Sequence, residues 1–264
     1  MKDHEKTILL EVTDGLAILT LNRPEKLNSL NKAMFRDFKS ALKKISPDQG
    51  VRCLIITGAG KGFCAGQDLN ERSDLKGNVP DLSASLEKNY NPIIRKITQL
   101  EVPVLCAVNG VAAGAGSSIA LACDIVFAAR SASFIQAFCK IGLIPDSGGT
   151  WLLPHKVGRA RALGLSLLGD KLSAEKAEEW GLIWKCMDDD KLLEEVLTIG
   201  KQLATQPTKG LSLIKRAIGG SFTNSLSEQL DLERDLQGVA GETSDYQEGV
   251  AAFLDKRSPT FTGN

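Results

Sequence analysis

Val104-Leu105-Cys106-Ala107-Val108-Asn109-Gly110-Val111-Ala112-Ala113-Gly114-Ala115-Gly116-Ser117-Ser118-Ile119-Ala120-Leu121-Ala122-Cys123-Asp124-Ile125-Val126-Phe127-Ala128-Ala129 contains a strand, a turn, a helix and a second strand. The first apolar run, Val104 to Val108, has strand length and no polar alternation, the mark of a strand buried on both faces. A Gly/Ala-rich turn follows, then a helix through Ile119 to Ala122, then another unbroken apolar run from Ile125. Buried strands alternating with helices predict an α/β domain with a mostly parallel sheet.

The same order extends upstream. Cys53 to Thr57 is a further buried-strand run, and before it Met34, Phe38, Leu42 and Ile45 recur at helical spacing ahead of the breaker Ser46-Pro47-Asp48. Residues 7 to 21 form two β-type runs joined at Asp14-Gly15, a dipeptide suited to a tight hairpin. Ser83 to Leu100 has a helical pattern and leads through Pro103 into the central strand. Between Asn70 and Pro80 the chain is polar and unpatterned, which suggests a mobile loop able to cover a ligand. From about residue 173 the strands are expected to stop: Ser173 to Trp180, Asp190 to Leu203, Leu211 to Ile218 and Leu226 to Gly238 all read as helices.

Composition narrows the function. Lys plus Arg and Asp plus Glu both number 32, so no net field favours nucleic acid or an anionic membrane. A small-molecule substrate is the expectation. The six cysteines stand singly, with no C-x-x-C pair, and a charged N-terminus leads into a strand rather than an apolar leader. These features are those of a cytoplasmic protein without a metal site.

Three segments carry chemistry. In Lys61-Gly62-Phe63-Cys64-Ala65-Gly66-Gln67-Asp68-Leu69, small residues after a strand let a ligand approach the backbone, where an unpaired N–H can bind an oxyanion; an ordinary turn is the alternative. Asn109 to Ser118 offers amides at the start of a helix but lacks G-x-G-x-x-G spacing, because Ile119 stands three places after Gly116, and it lacks the G-K-[ST] of a P-loop. Neither dinucleotide binding nor nucleotide hydrolysis is supported. In Ile141-Gly142-Leu143-Ile144-Pro145-Asp146-Ser147-Gly148-Gly149-Thr150, Asp146 reads by spacing as the N-cap of a helix beginning near Thr150. Its apolar neighbours Phe138, Leu143 and Ile144 would also suit a proton shuttle.

In this order and separation the three segments resemble the crotonase (enoyl-CoA hydratase/isomerase) superfamily. So do Leu21-Asn22-Arg23-Pro24, Ala122-Cys123-Asp124, Ala174 to Gly181 and Tyr246 to Phe253. The resemblance implies a spiral of ββα turns over residues 1–200, and a helical oligomerisation region over 201–264. It implies a homotrimer or hexamer, with a hydratase paralogue as a possible companion. The substrate it implies is an acyl-CoA thioester, with no separate cofactor. Carried over, the thioester oxygen would be held by the backbone N–H groups of Ala65 and Ala115, with Gly116 as a register alternative. Each such donor is worth on the order of 3 kcal/mol in the transition state. Lys26 and Leu27 with Ala65, Gly66, Gln67 and Asp68 would line the path of the CoA, and Phe253 and Lys256 would contact the CoA of a neighbouring subunit.

The departures matter most. Where hydratases of the family carry two glutamates this chain has Ser118 and Phe138, so the usual hydration route lacks both bases. Asp146 coincides with the acid/base carboxylate of the family's isomerases. Gly62 to Glu71, Asn109 to Gly116, Gly142 to Pro154 and Lys256 to Gly263 are most similar to its ring-epoxide isomerases of phenylacetate catabolism. The implied reaction converts an epoxide of a phenylacetyl thioester to an oxepin, and a 3,2 double-bond shift suits the same carboxylate. A hydratase-like enzyme and a non-catalytic acyl-CoA-binding scaffold are the alternatives. Tyr90 and Trp151 are candidates for an aryl pocket, and His155 and Asp124 read as structural. The acids Asp188 to Asp190 read as charges at a helix N-terminus.

Overall fold

The structure, a computed structural model, describes residues 6–72 and 81–264. Most of the loop expected over Asn70 to Pro80 therefore lies outside the described residues. Strands β1 (Ile8–Thr13) and β2 (Leu16–Leu21) form the expected hairpin, with Thr13 opposite Leu16. Its two turn residues, Asp14 and Gly15, both take positive φ, 50° and 79°, as a two-residue turn matched to strand twist requires. Helix α1 (Lys32–Leu42) turns Met34, Phe35, Phe38 and Leu42 inward, and the Asn31 side chain caps it by accepting the Met34 N–H.

Three strand-strand-helix units follow. The first is β3 (Cys53–Gly58), β4 (Gly62–Cys64) and a helical run of α2 (Leu82–Ser85), a π-helical turn (Leu86–Tyr90) and α3 (Asn91–Gln99). The second is β5 (Val104–Val108), β6 (Val111–Ala113) and α4 (Ala115–Leu121). The third is β7 (Ile125–Ala129), β8 (Ser133–Ile135) and α5 (Gly149–Leu168). Each unit gives its first strand to one sheet and its second to another. The orders are β1-β2-β3-β5-β7-β10 and β4-β6-β8-β9, with β3, β5 and β7 parallel in the first and β4, β6 and β8 parallel in the second. The chain is thus an α/β spiral, and every residue of β5 is buried, as its unalternating sequence required.

The expectation that strands stop near residue 173 is corrected. After β9 (Lys171–Ser173) and α6 (Ala174–Glu179), a short strand β10 (Lys185–Met187) pairs in parallel with β7 and closes one edge of the larger sheet. Helices α7 (Leu192–Ala204), α8 (Thr208–Gly220), α9 (Leu226–Gly241) and α10 (Ser244–Asp255) complete the chain. Helix α7 packs on β3 and β5 and runs across residue 200, the place where the sequence suggested a boundary. The acids before it serve other partners than its dipole: Asp188 pairs with Arg130, and Asp189 accepts the Ser131 N–H.

Two charged residues tie the terminal helices to the spiral. Lys215 of α8 donates to the Leu100 and Val102 carbonyls and pairs with Asp124 at 2.7 Å, while Asp124 also accepts the Val104 N–H at 2.7 Å. The Arg52 guanidinium donates to Gln206 O, Thr208 Oγ1 and Phe261 O at 2.7, 3.0 and 3.1 Å, so the start of β3 grips both α8 and the C-terminal tail. Among the described residues no helix is long and apolar enough to cross a membrane.

Candidate active site

The segment after β4 and the segment after β6 lie side by side because their strands are parallel neighbours, with Cys64 in register with Ala112. Their approach is close enough to demand glycine. A Cβ on Gly66, whose φ is 85°, would lie 2.8 Å from Ala113 O and 3.6 Å from Ala115 N. Gly114, at φ 52° and ψ −126°, takes a conformation foreign to other residues and swings the chain from β6 into α4.

Which amides face the resulting space follows from the backbone bonds. The Leu30 N–H donates to Gly66 O at 2.7 Å, and the Asp68 N–H donates to Leu30 O at 2.9 Å, a parallel bridge centred on Gln67. In such a bridge the N–H of the central residue points to the opposite side. For Gln67 that side is a cavity of about 640 Å³, which Ala65, Gly66, Gln67 and Ala115 line. The expectation for Ala65 is corrected here. Its N–H donates to Leu27 O at 2.9 Å and is not available to a ligand, so the amide offered from this segment is that of Gln67, two residues on. Cys64, the last residue of β4, stays a neutral thiol, since burial pushes it up to about 12.

Asp146 enters the same cavity from the loop before α5, and Phe138, Leu143 and Ile144 line it alongside, as the sequence suggested. The cap reading of Asp146 does not hold. The helix N-cap is Gly148 without a side-chain bond, and Asp146 Oδ1 instead accepts the Ser147 hydroxyl at 2.8 Å. Ser118, fully buried, donates its hydroxyl to Asp146 O at 3.0 Å. Ser118 thus anchors the loop that carries this carboxylate. Phe138 lays its ring edge 3.7 Å from the place a Gly114 Cβ would occupy. Among the described residues Asp146 is the one carboxylate lining the cavity, and Lys140 the one cation.

The remaining candidates separate. Asp68 turns away from the cavity; its carboxylate accepts Arg23 at 2.9 Å and the Asn70 N–H, and these partners outweigh burial and hold it below the ordinary value. Lys26 and Leu27 are exposed, and neither lines the cavity. On α10 and at its C-cap, Phe253, 83% exposed, and Lys256 are likewise remote from it in the single chain. Trp151 stacks against His155 and Phe222 outside the cavity, whereas Tyr90 lines it. Among the described residues no group of three or more His, Cys, Asp or Glu could hold a metal ion. Asn28, which the sequence reading passed over, is fully buried with φ 56°, and its side chain accepts the Arg23 N–H and donates to Ala59 O and Gly62 O. The Asn itself, a residue that tolerates the left-handed conformation, is the local signal that was available.

Residues 11–264 match the enoyl-CoA hydratase/isomerase family. The chain belongs to that family. It is 59% identical to the 1,2-epoxyphenylacetyl-CoA isomerase of Escherichia coli over 97% of this chain and 98% of that protein. It is 44% identical, over the same shares, to a protein of Rhodobacter capsulatus named a probable enoyl-CoA hydratase. Among solved structures, an enoyl-CoA hydratase from Polaromonas superposes with a TM-score of 0.91 at 36% identity, covering 96% of this chain and 99% of that one. The family member described here is an isomerase by its relationship to the first of these, and of the two positions that the sequence reading compared with hydratase glutamates, Phe138 lines the cavity whereas Ser118 does not.

Proposed function

We propose that the chain isomerises 1,2-epoxyphenylacetyl-CoA to the oxepin thioester, with a 3,2 double-bond shift of an enoyl-CoA as a second reaction at the same site. The observation that carries this reading is Asp146, among the described residues the one carboxylate lining a cavity that Gln67 and Ala115 also line. The thioester oxygen accepts the N–H groups of Gln67 and Ala115, which stabilise the enolate as charge moves onto it. Asp146 removes a proton from the carbon next to the thioester carbonyl. The epoxide ring opens into the seven-membered ring, and Asp146 returns the proton to a ring carbon, so that atoms and charge balance. In the enoyl substrate the same proton moves from C2 to C4. Water addition needs a second base to orient and deprotonate it, and Ser118 and Phe138 supply none. Assembly as a trimer or hexamer is part of the proposal, supported by large apolar side chains left exposed on α9 and α10, among them Leu226 and Phe253.

The test is turnover of the wild type and Asp146→Asn on both thioesters, with oxepin formation, double-bond shift and hydration followed separately. Isomerisation by the wild type, lost by at least 100-fold in the variant, is the expected result. Binding without any turnover in the wild type would favour the scaffold alternative.

A further inference from the structure

Tyr90 reaches the cavity from an irregular place in its helix. Leu86–Tyr90 forms a π-helical turn, in which the Asn91 N–H reaches back to Leu86 O, between the α-helical stretches α2 and α3. Turns of this kind are rare and frequent at functional sites. This one ends on Tyr90, whose ring is 4% exposed and packs edge-on against Phe35 at 4.6 Å. The Tyr90 hydroxyl donates to Gln67 Oε1, and Gln67 Nε2 donates to Asp68 O at 3.2 Å. The Gln67 side chain is therefore tied at both ends, and its backbone is tied on one side through the Leu30 bridge.

We propose that Tyr90 is a positioning residue for the oxyanion site: by fixing the Gln67 side chain it fixes the direction of the Gln67 N–H. The inference rests on the reading above that this N–H holds the thioester oxygen. A donor aimed at developing charge works through its direction, and a small misplacement forfeits much of its effect. The amide follows a glycine, Gly66 at φ 85°, and among the described residues the Tyr90 bond is what reaches Gln67 Oε1 from the cavity side.

The test reads the donor directly. Phenylacetyl-CoA labelled with ¹³C at the thioester carbonyl has no epoxide or double bond to isomerise, so its bound carbonyl stretch in the infrared reports polarisation alone. In the wild type the band is expected to move to lower frequency on binding. Tyr90→Phe keeps the ring on Phe35 and removes the bond to Gln67; it is expected to lose at least half of that movement. Its kcat on a 3-enoyl-CoA should fall about 10- to 100-fold with KM within twofold. Gln67→Ala cuts the same bond from the other side while keeping the backbone N–H; it should reproduce the loss, and the double variant should be no worse than either single one. An unchanged band and kcat in both variants would overturn the proposal, as would a change confined to KM, which would make Tyr90 a contact of the acyl group. Failure of the isomerase reading has a different signature: a wild type that polarises the carbonyl and turns over neither substrate.

Discussion

Ser147 is the residue beside Asp146 that does two things at once. It is 3% exposed and sits at φ 53°, a left-handed conformation that costs a residue with a Cβ roughly 1 kcal/mol, while its hydroxyl donates to Asp146 Oδ1. Strain held next to the carboxylate proposed as the acid/base is consistent with orientation outranking stability. Two substitutions separate the effects. Ser147→Ala should lower kcat about tenfold with little change in KM, because Asp146 loses the bond that orients it. Ser147→Gly should be as slow as Ser147→Ala and yet unfold at a denaturant concentration no lower than wild type, since glycine accepts the conformation without penalty. A Gly variant with wild-type kcat would remove the hydroxyl from the account.

At the scale of elements, the Lys215 pair is one of two charged ties that bind α8 to the spiral. Burial raises Asp124 above its ordinary value, and Lys215 and the Val104 N–H work against that shift. A carboxyl raised in the fold holds its proton more tightly folded than unfolded, so its contribution to stability falls as pH rises from about 4. Lys215→Met removes the main compensating charge. It should cost about 2–3 kcal/mol in urea unfolding at pH 7, and the deficit should shrink on acidification toward pH 5 as Asp124 takes up a proton. A deficit independent of pH would show that the two carbonyl bonds of Lys215, and not the ion pair, hold the helix. The elements legible in the sequence were those long enough to show a period or an unbroken apolar run: the hairpin, β3, β5, β7, and helices α1, α4 and α6 to α9, while α10 was not read as a helix. Strands β4, β6, β8, β9 and β10 are three residues each, too short for alternation to register, and they owe their state to neighbours distant in sequence. The same limit explains the site. Asp146 and its apolar company were visible locally, whereas the engagement of the Ala65 N–H depends on Leu27, the direction of the Gln67 N–H depends on Leu30, and the π-helical turn that delivers Tyr90 has no pattern of its own.

For the molecule as a whole, Arg52 is the clasp between the first sheet, α8 and the last residues of the chain, which Asp245 also holds by accepting the Thr262 and Gly263 N–H groups. Arg52→Ala should remove about 2–3 kcal/mol and lower the melting temperature by roughly 5–10 °C, and it should loosen the proposed oligomer if the terminal helices form its contacts; a calorimetric scan with light scattering checks both. The spiral itself has a further consequence. Gln67 and Ala115 follow neighbouring strands of one sheet, so the gap between their amides is governed by the roughly 4.8 Å spacing at which backbones hydrogen-bond side by side. A distance set by the peptide group is indifferent to side chains. Such a scaffold can exchange almost every residue around the two proposed donors, keep the spacing that the proposed grip on a thioester oxygen needs, and leave the choice of acyl group to loops that can diverge without disturbing it.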